Sequence, residues 1–348
     1  MKSESSTIRF AAVADLRASA EASTTVIVAD ELTAAFIPPG FDPGRVAIVE
    51  RGESAKSLES LERLYARFLE LGVGRDWTVV GIGGGSVSDL AGFAASTWLR
   101  GIDFGFVPTT LLSMVDASVG GKNGIDFRGW KNMIGCFRRP RFVLVDPGLL
   151  VGLPDFDLAC GLVEAIKHGV IDGEAHLSAI ERVVDSGGRI DRDALEPIIR
   201  RSIAFKSAVT DEDEREAGDR RKLNLGHTIG HGVEAIACLP HGACVAAGLA
   251  AALGLALERG GKADDARRIV ALLEKLGMPV SLEEARKASP ESSELSPAVF
   301  RDAVALALAS DKKRLGEDVL FALPLALGDV RIEPLPLTAI RDYVRRAP

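Results

Sequence analysis

The stretch WTVVGIGGGSVSDLAGFAAS, Trp77–Ser96, decides the fold. It begins as a short β-branched run, passes through Gly83, Gly84 and Gly85, and continues with helical apolar spacing. A strand feeding a helix through glycines is one unit of a parallel α/β sheet. Working outward, TTVIVAD (Thr24–Asp30), RVAIVE (Arg45–Glu50), IDFGFVP (Ile102–Pro108) and RFVLVDP (Arg141–Pro147) read as further strands. SLESLERLYARFLELG (Ser57–Gly72) reads as a helix closed by a glycine cap. From LPDFDLACGLVEAIKHGVI (Leu153–Ile171) onward the pattern turns helical for roughly 160 residues. It is relieved only by VLFALPLALGDVRI (Val319–Ile332), which reads as a short extended pair.

The expectation is therefore a Rossmann-like α/β nucleotide-binding domain over residues 1–150 and a mainly α-helical metal- and substrate-binding domain over 151–348. The boundary is placed near Pro147–Leu153. A chain of 348 residues suits two domains. KASPESSELSP (Lys287–Pro297) is expected to be a surface loop.

Composition narrows the function. A net charge of −7 argues against a general nucleic-acid binder. Four cysteines without a CxxC pair argue against a zinc ribbon and suit a reducing, cytoplasmic setting. The N-terminal residues hold no long apolar run, so no signal peptide is expected. VAAGLAAALGLAL (Val245–Leu257) is too short for a membrane span and reads as a closely packed buried helix.

The glycine turn lets backbone amides at a helix start approach a pyrophosphate, although its spacing is not GxGxxG. A plain strand-to-helix turn is the other reading. Asp30, Glu53, Lys56, Thr109 and Thr110 follow the carboxyl ends of expected parallel strands, where open sheets bind ligands. Three of the five histidines sit in KLNLGHTIGHGVEAIACLPHGA, Lys222–Ala243. His227 and His231 are four apart and share a helical face, and His241 follows after a proline turn. Two imidazoles and one further ligand would suit a catalytic zinc ion, without the spacing deciding which two. Glu164, in an apolar segment with Lys167 three residues on, is the candidate third ligand; an ordinary i,i+3 surface ion pair is the alternative.

Taken together, GGGSVSDLAGFAAS, LRGIDFGFVPTTLLSMVDASVGGKNGID, KNMIGCF, GLVEAIKHGVI, DEREAGDRRKLNLGHTIGH and SDKK resemble the 3-dehydroquinate synthase family of sugar phosphate cyclases, from about Asp30 to Lys313. That resemblance implies Glu164, His227 and His241 as ligands of Zn²⁺ or Co²⁺. It implies NAD bound by Asp30, Glu53, Lys56, Gly84, Gly85, Asp89, Thr109 and Thr110. It implies a pocket for a small anionic sugar phosphate built from Asp116, Lys122, Asn132, Lys167, Lys206, Arg220, Asn224 and Lys312, with His231 touching substrate or handling protons. Arg100 would reach the phosphate in a neighbouring subunit, so a homodimer is implied, with no nucleic-acid or membrane partner.

The implied reaction converts 3-deoxy-D-arabino-heptulosonate 7-phosphate to 3-dehydroquinate and phosphate, a step of the shikimate route to aromatic amino acids. The alternatives are another cyclase, such as an amino-dehydroquinate synthase of secondary metabolism, a metal-dependent polyol dehydrogenase, or an inactive binding homologue. Five cationic candidates suit a doubly acidic substrate better than a neutral polyol. The chain departs from the family pattern at Ala243, Asn123, Ser86 and Leu32.

Overall fold

In a computed structural model, the chain is described over residues 5–308, 314–315 and 317–347. It divides into two compact units, Met1–Leu153 and Pro154–Pro348.

The first unit carries β1 (Thr7–Phe10), β2 (Thr25–Asp30), β3 (Val46–Val49), α1 (Leu58–Glu70), β4 (Thr78–Gly83), α2 (Gly85–Thr97), β5 (Asp103–Pro108), β6 (Lys122–Phe127), β7 (Trp130–Phe137) and β8 (Phe142–Val145). Six strands form one sheet in the order β1-β8-β5-β4-β2-β3, and every pairing is parallel. The strands β2, β4 and β8 are buried along their length, which explains why they read as unbroken apolar runs. The chain runs outward from β2 to β3, then crosses back to β4 on the other side of β2. Strand order thus reverses between β2 and β4, and ligands of open α/β sheets bind beyond the carboxyl ends of strands at such a reversal.

Two elements of this unit escaped the sequence pattern. The segment TIRF pairs with β8 as an edge strand. VGGKNG continues into an antiparallel hairpin, β6 with β7, closed by Arg128 at φ 49° and Gly129 at φ 81°. Two successive left-handed residues give the turn twist that a two-residue hairpin needs. The glycines before Lys122 have a backbone reason as well, since Gly120 and Gly121 sit at φ 100° and 72°.

The second unit carries α3 (Asp155–Asp172), α4 (Glu174–Arg182), α5 (Leu195–Glu212), α6 (His227–Ala237), α7 (His241–Leu257), α8 (Ala263–Lys275), α9 (Leu282–Ala288), α10 (Pro297–Ala307), β9 (Arg314–Leu315), β10 (Asp318–Ala326), β11 (Asp329–Pro336) and α11 (Leu337–Arg346). The expected extended pair is β10 with β11, antiparallel, with β9 added at its edge.

The run Val245–Leu257 lies in α7, buried on nearly all sides. Its glycines let backbones touch. A Cβ on Gly248 would lie 2.0 Å from the Gly226 carbonyl and 2.6 Å from the Gly230 nitrogen, and one on Gly242 would lie 2.5 Å from Cys160 Cα. Helices α3 and α6 therefore approach α7 at distances only glycine permits. No helix among the described residues is long and apolar enough to cross a membrane.

Lys287–Pro297 is less of a surface loop than its composition suggests. Ser289 and Ser292 are fully buried, and Arg286 Nη1 donates to the Leu295 carbonyl at 2.7 Å. A buried guanidinium serves the backbone carbonyls that a loop would otherwise leave to water.

Candidate functional site

In the first unit, the candidate residues gather where the strand order reverses. Gly83 ends β4, and a Cβ there would strike the Val87 side chain at 2.6 Å, so the glycine lets α2 start directly against the strand. Gly84 and Gly85 follow with negative φ, and a Cβ on Gly84 would come 3.3 Å from Thr110 Cγ2. The opening amides of α2 have no intrahelical acceptor, and glycine leaves the space before them open to an anion.

Thr109 donates its backbone N–H to the Gly83 carbonyl at 3.0 Å, which holds the end of β5 beside the turn. Asp30 closes β2 and is buried; its Oδ1 accepts from the N–H groups of Leu32 and Thr33 at 3.0 and 2.8 Å. One carboxylate oxygen thus fixes the turn after β2. Leu32, one of the departures from the family pattern, is largely exposed.

A charged network lies beside the glycine turn. Lys56 Nζ is 2.9 Å from Asp89 Oδ2 and 3.4 Å from Glu53 Oε1, and it donates to the Asn132 side-chain oxygen. Glu53 also meets Lys131 at 3.3 Å and accepts from Ser86 Oγ at 3.0 Å. Burial works against the Lys56 ammonium, but Asp89 and then Glu53 outweigh it and hold its pKa above the usual range. Burial likewise opposes the Glu53 carboxylate, yet Lys56 and Lys131 keep its pKa below the usual value.

Asn132 is held at φ 52°, and its N–H donates to Asp126 Oδ1 at 2.8 Å. The structure brings together Glu53, Lys56, Asp89 and Asn132 and adds two residues that sequence reasoning missed, Lys131 and Asp126. Their only signal was membership of quoted motifs, Asp126 closing LRGIDFGFVPTTLLSMVDASVGGKNGID and Lys131 opening KNMIGCF.

Asp116 lies on a single π-helical turn, Ser113–Ala117, a device frequent at functional sites and invisible to sequence periodicity. Lys122 opens β6 and is exposed. Arg100 is exposed within Leu99–Arg100–Gly101, three consecutive residues at φ 49°, 69° and 113°. Holding two non-glycine residues there costs of order 1–3 kcal/mol each, so the surroundings over-determine this turn.

In the second unit, α3 supplies Glu164, and the first residues of α6 and α7 are His227 and His241. Glu164 Oε1 faces His227 Nε2 at 3.7 Å and His241 Nε2 at 3.6 Å. These separations exceed a hydrogen bond. They are slightly wider than the edge of ~3.3 Å expected across a tetrahedral ion with bonds of about 2.0 Å.

The opposite ring nitrogens are committed to acceptors. His227 Nδ1 lies 3.1 Å from the Leu225 carbonyl, and His241 Nδ1 lies 3.3 Å from Glu234 Oε1. An N–H at each Nδ1 leaves a lone pair at each Nε2, aimed toward the Glu164 oxygen. Two imidazole nitrogens and one carboxylate oxygen suit zinc or cobalt, and the donor set fits such an ion.

Glu164 and Lys167 are buried and form an ion pair, so the alternative of a solvated surface pair does not apply. Burial, then the Lys167 charge, lowers the His227 pKa well below its ordinary value. His241 keeps 32% of its side-chain surface open. Burial pulls its pKa down too, but Glu164 and Glu234 prevail and raise it to about 10.

His231 is exposed one turn along α6, its ring 5.3 Å from His227 and 6.1 Å from His241. The cationic candidates lie on neighbouring elements. Lys206 is buried on α5, and Arg220 is 2% exposed in the turn Asp219–Asn224. Arg220 Nη1 donates to the Glu214 carbonyl at 2.6 Å, and the Asn224 amide donates to Glu216. Lys312 lies outside the described residues.

Two family models cover most of the chain: 3-dehydroquinate synthase N-terminal over residues 46–160 and 3-dehydroquinate synthase C-terminal over 161–313. The chain belongs to the 3-dehydroquinate synthase family. Among its relatives, the 3-dehydroquinate synthase of Geobacter metallireducens is 41% identical over 309 residues, 88% of this chain and 81% of that one. Among solved structures, a 2-deoxy-scyllo-inosose synthase complexed with carbaglucose-6-phosphate, NAD⁺ and Co²⁺ aligns with a TM-score of 0.81 at 23% identity, covering 98% of this chain and 96% of that one. The 2-epi-5-epi-valiolone synthase from Streptomyces hygroscopicus subsp. jinggangensis 5008, with NAD⁺ and Zn²⁺ bound, aligns at 0.79 with 25% identity, covering 99% and 97%. Two features stand out within the described residues: the convergence of Glu164, His227 and His241, which could hold a metal ion, and the glycine turn at Gly83–Gly85.

Proposed function

We propose that this chain is a 3-dehydroquinate synthase, eliminating phosphate from 3-deoxy-D-arabino-heptulosonate 7-phosphate and closing the carbocycle. The observation that carries the reading is the convergence of Glu164 Oε1 with the Nε2 atoms of His227 and His241 in a chain whose relatives bear that name. When bound, the dinucleotide would accept and return a hydride, and the divalent ion would act as a Lewis acid at the hydroxyl undergoing oxidation.

The chain's own residues bind, orient and move protons. Glu164, His227 and His241 hold the ion. Asp30, Glu53, Lys56, Gly84, Gly85, Asp89, Thr109 and Thr110 hold the dinucleotide. Lys122, Lys167, Lys206, Arg220 and Lys312 neutralise the phosphate and carboxylate of the substrate, with Arg220 suited to the carboxylate by its planar fork. Asp116, Asn132 and Asn224 orient the sugar. His231, exposed beside the ligand set, handles protons.

Arg100 serves a neighbouring subunit's phosphate in a homodimer. The exposed Trp130, Met133 and Phe137 of the hairpin suit a surface that another copy covers. Zinc is the proposed ion and the cytoplasm the proposed location. The aromatic-amino-acid route is the proposed setting.

The test is incubation with the heptulosonate phosphate, NAD⁺ and Zn²⁺, following phosphate release and product mass, with a chelator control. Stoichiometric phosphate and dehydroquinate without accumulating NADH are expected. Steady NAD⁺ reduction, or no phosphate release, would refute the reading. A second reading, an amino-dehydroquinate synthase, is favoured by Ala243, fully buried two residues after His241 where the family usually places glutamate. A higher kcat/KM on the amino substrate would establish it.

A further inference from the structure

Glu234 appears in none of the roles above, yet it is one of the most constrained acidic residues in the second unit. It sits on α6, seven residues past His227, and is 6% exposed. Burying a carboxylate is costly unless it is paired or hydrogen-bonded. Its Oε1 lies 3.3 Å from Nδ1 of His241. The same imidazole presents Nε2 to Glu164 Oε1 on its far side. One ring is thus spanned by two buried carboxylates, one at each nitrogen.

The local chain path builds this contact. Helix α6 ends at Ala237 and is capped by Cys238, a non-glycine residue at φ 52°. Leu239 and Pro240 then reverse the chain, and the Cys244 thiol caps the Leu239 carbonyl at 3.4 Å. His241 opens α7 pointing back at α6. The Glu234 side chain meets it one helical turn before the reversal.

We propose that Glu234 is a positioning residue for the metal ligand His241: it accepts the Nδ1 proton, fixes the tautomer and ring plane, and keeps the Nε2 lone pair aimed at the ion. The inference rests on the metal site read above, and it assigns a function to a residue outside that ligand set. His227 is held by an uncharged acceptor, the Leu225 carbonyl, so the two imidazoles are supported differently. A charged acceptor makes a stronger bond and a more basic ligand, so His241 depends more on its partner.

Glu234 could instead be a ligand itself, since His231, Glu234 and His241 also bring ligand atoms close together. An ion held there would displace the proton from the nitrogen nearest Glu234, Nδ1. That would remove the bond that orients the ring toward Glu164. The geometry points to orientation and not to ligation.

The test uses the full chain, stripped of metal, in four forms: wild type, Glu234→Ala, Glu234→Gln and His227→Ala. Zinc affinity is measured by competition with a chromophoric chelator, and the visible bands of the Co²⁺-loaded forms report ligand geometry. Circular dichroism checks folding, and the near-isosteric Glu234→Gln keeps the test decisive where the alanine variant does not fold. Glu234→Ala is expected to bind zinc about 10–100-fold more weakly. Glu234→Gln, which can accept the proton without the charge, should lose less and keep more of the cobalt spectrum. His227→Ala should lose more affinity than either. Wild-type affinity in both Glu234 variants, with His227→Ala impaired, would overturn the proposal and leave the metal site standing. Wild-type affinity in His227→Ala as well would overturn the metal site itself.

Discussion

The Gly248→Ala substitution tests whether helix packing sets the metal geometry. Gly248 lies in α7, and an added Cβ would sit 2.0 Å from the Gly226 carbonyl oxygen and 2.6 Å from the Gly230 nitrogen. Both contacts are backbone, so no rotamer change relieves them. Restoring an ordinary separation of about 3.4 Å requires α6 and α7 to part by roughly 1 Å, at a typical overpacking cost of about 1–3 kcal/mol. For a unit of this size that lowers Tm by about 2–12 °C.

The same displacement reaches the site, because Gly226 caps α6 immediately before His227 while α7 begins at His241. Moving one imidazole about 1 Å from the other should reduce turnover by about 10²-fold. The assay is calorimetric melting of the metal-free chain together with zinc competition. Gly152→Ala is the control, since a Cβ there meets nothing within 4 Å and its φ is ordinary. A Gly248→Ala chain that melts with wild type and binds zinc equally would refute the claim that glycine contacts hold the two imidazoles in register.

Three further outcomes follow from the same geometry. Glu164→Gln removes the carboxylate that pairs with the buried Lys167; breaking a buried ion pair costs about 3–5 kcal/mol, so denaturant midpoints should fall and zinc retention should vanish. A wild-type midpoint would show that Lys167 is compensated elsewhere. Ser86→Ala removes the 3.0 Å bond to Glu53, and a net contribution of about 0.5–1.5 kcal/mol predicts NAD⁺ binding roughly 2–12-fold weaker by fluorescence titration. Unchanged NAD⁺ affinity would dissociate that bond from the cofactor. His176 is fully buried between Asp172 and Ser202, and burial, then His168, lowers its pKa to about 4. The unfolded chain therefore binds this proton first as pH falls. Stability should be complete above about pH 6.5 and should decline toward pH 4 by up to about 3 kcal/mol. His176→Gln should flatten that part of the stability–pH curve, and an unchanged slope would assign the loss to other groups.

The sheet was legible because its strands are buried and β-branched, so Thr25–Asp30, Thr78–Gly83 and Phe142–Val145 announce themselves as apolar runs bounded by turns. The hairpin was not, because glycine, asparagine and lysine interrupt its apolar residues and most of the second strand is exposed, so no buried apolar run marks it. Only the left-handed pair Arg128–Gly129 marks the turn, and Arg-Gly is a weak turn signal beside Asn-Gly. The π turn that carries Asp116 has no sequence period to detect. Among the three histidines, spacing puts His227 and His231 on one helical face but leaves open which two would hold an ion. The structure sets Glu164 against His227 and His241. That convergence is made by tertiary contact across 63 residues of chain; the residues alone single out Glu164 and leave the histidine pair open.

The first residues of two helices are a physically apt place for those imidazoles. The partial positive charge at a helix start favours an anion alongside. Glu164 is that anion, and its own compensation comes from Lys167 on the same helix. In the first unit the same principle serves a different chemistry, because the open amides of α2 face the end of β4 and glycine keeps the approach clear. Helix starts thus carry both candidate imidazoles and the glycine turn, while strand ends carry the carboxylates Asp30 and, just beyond β3, Glu53. Ser86 and Leu32, two of the departures from the family pattern, lie outside the close backbone contacts at Gly83, Gly226, Gly242 and Gly248.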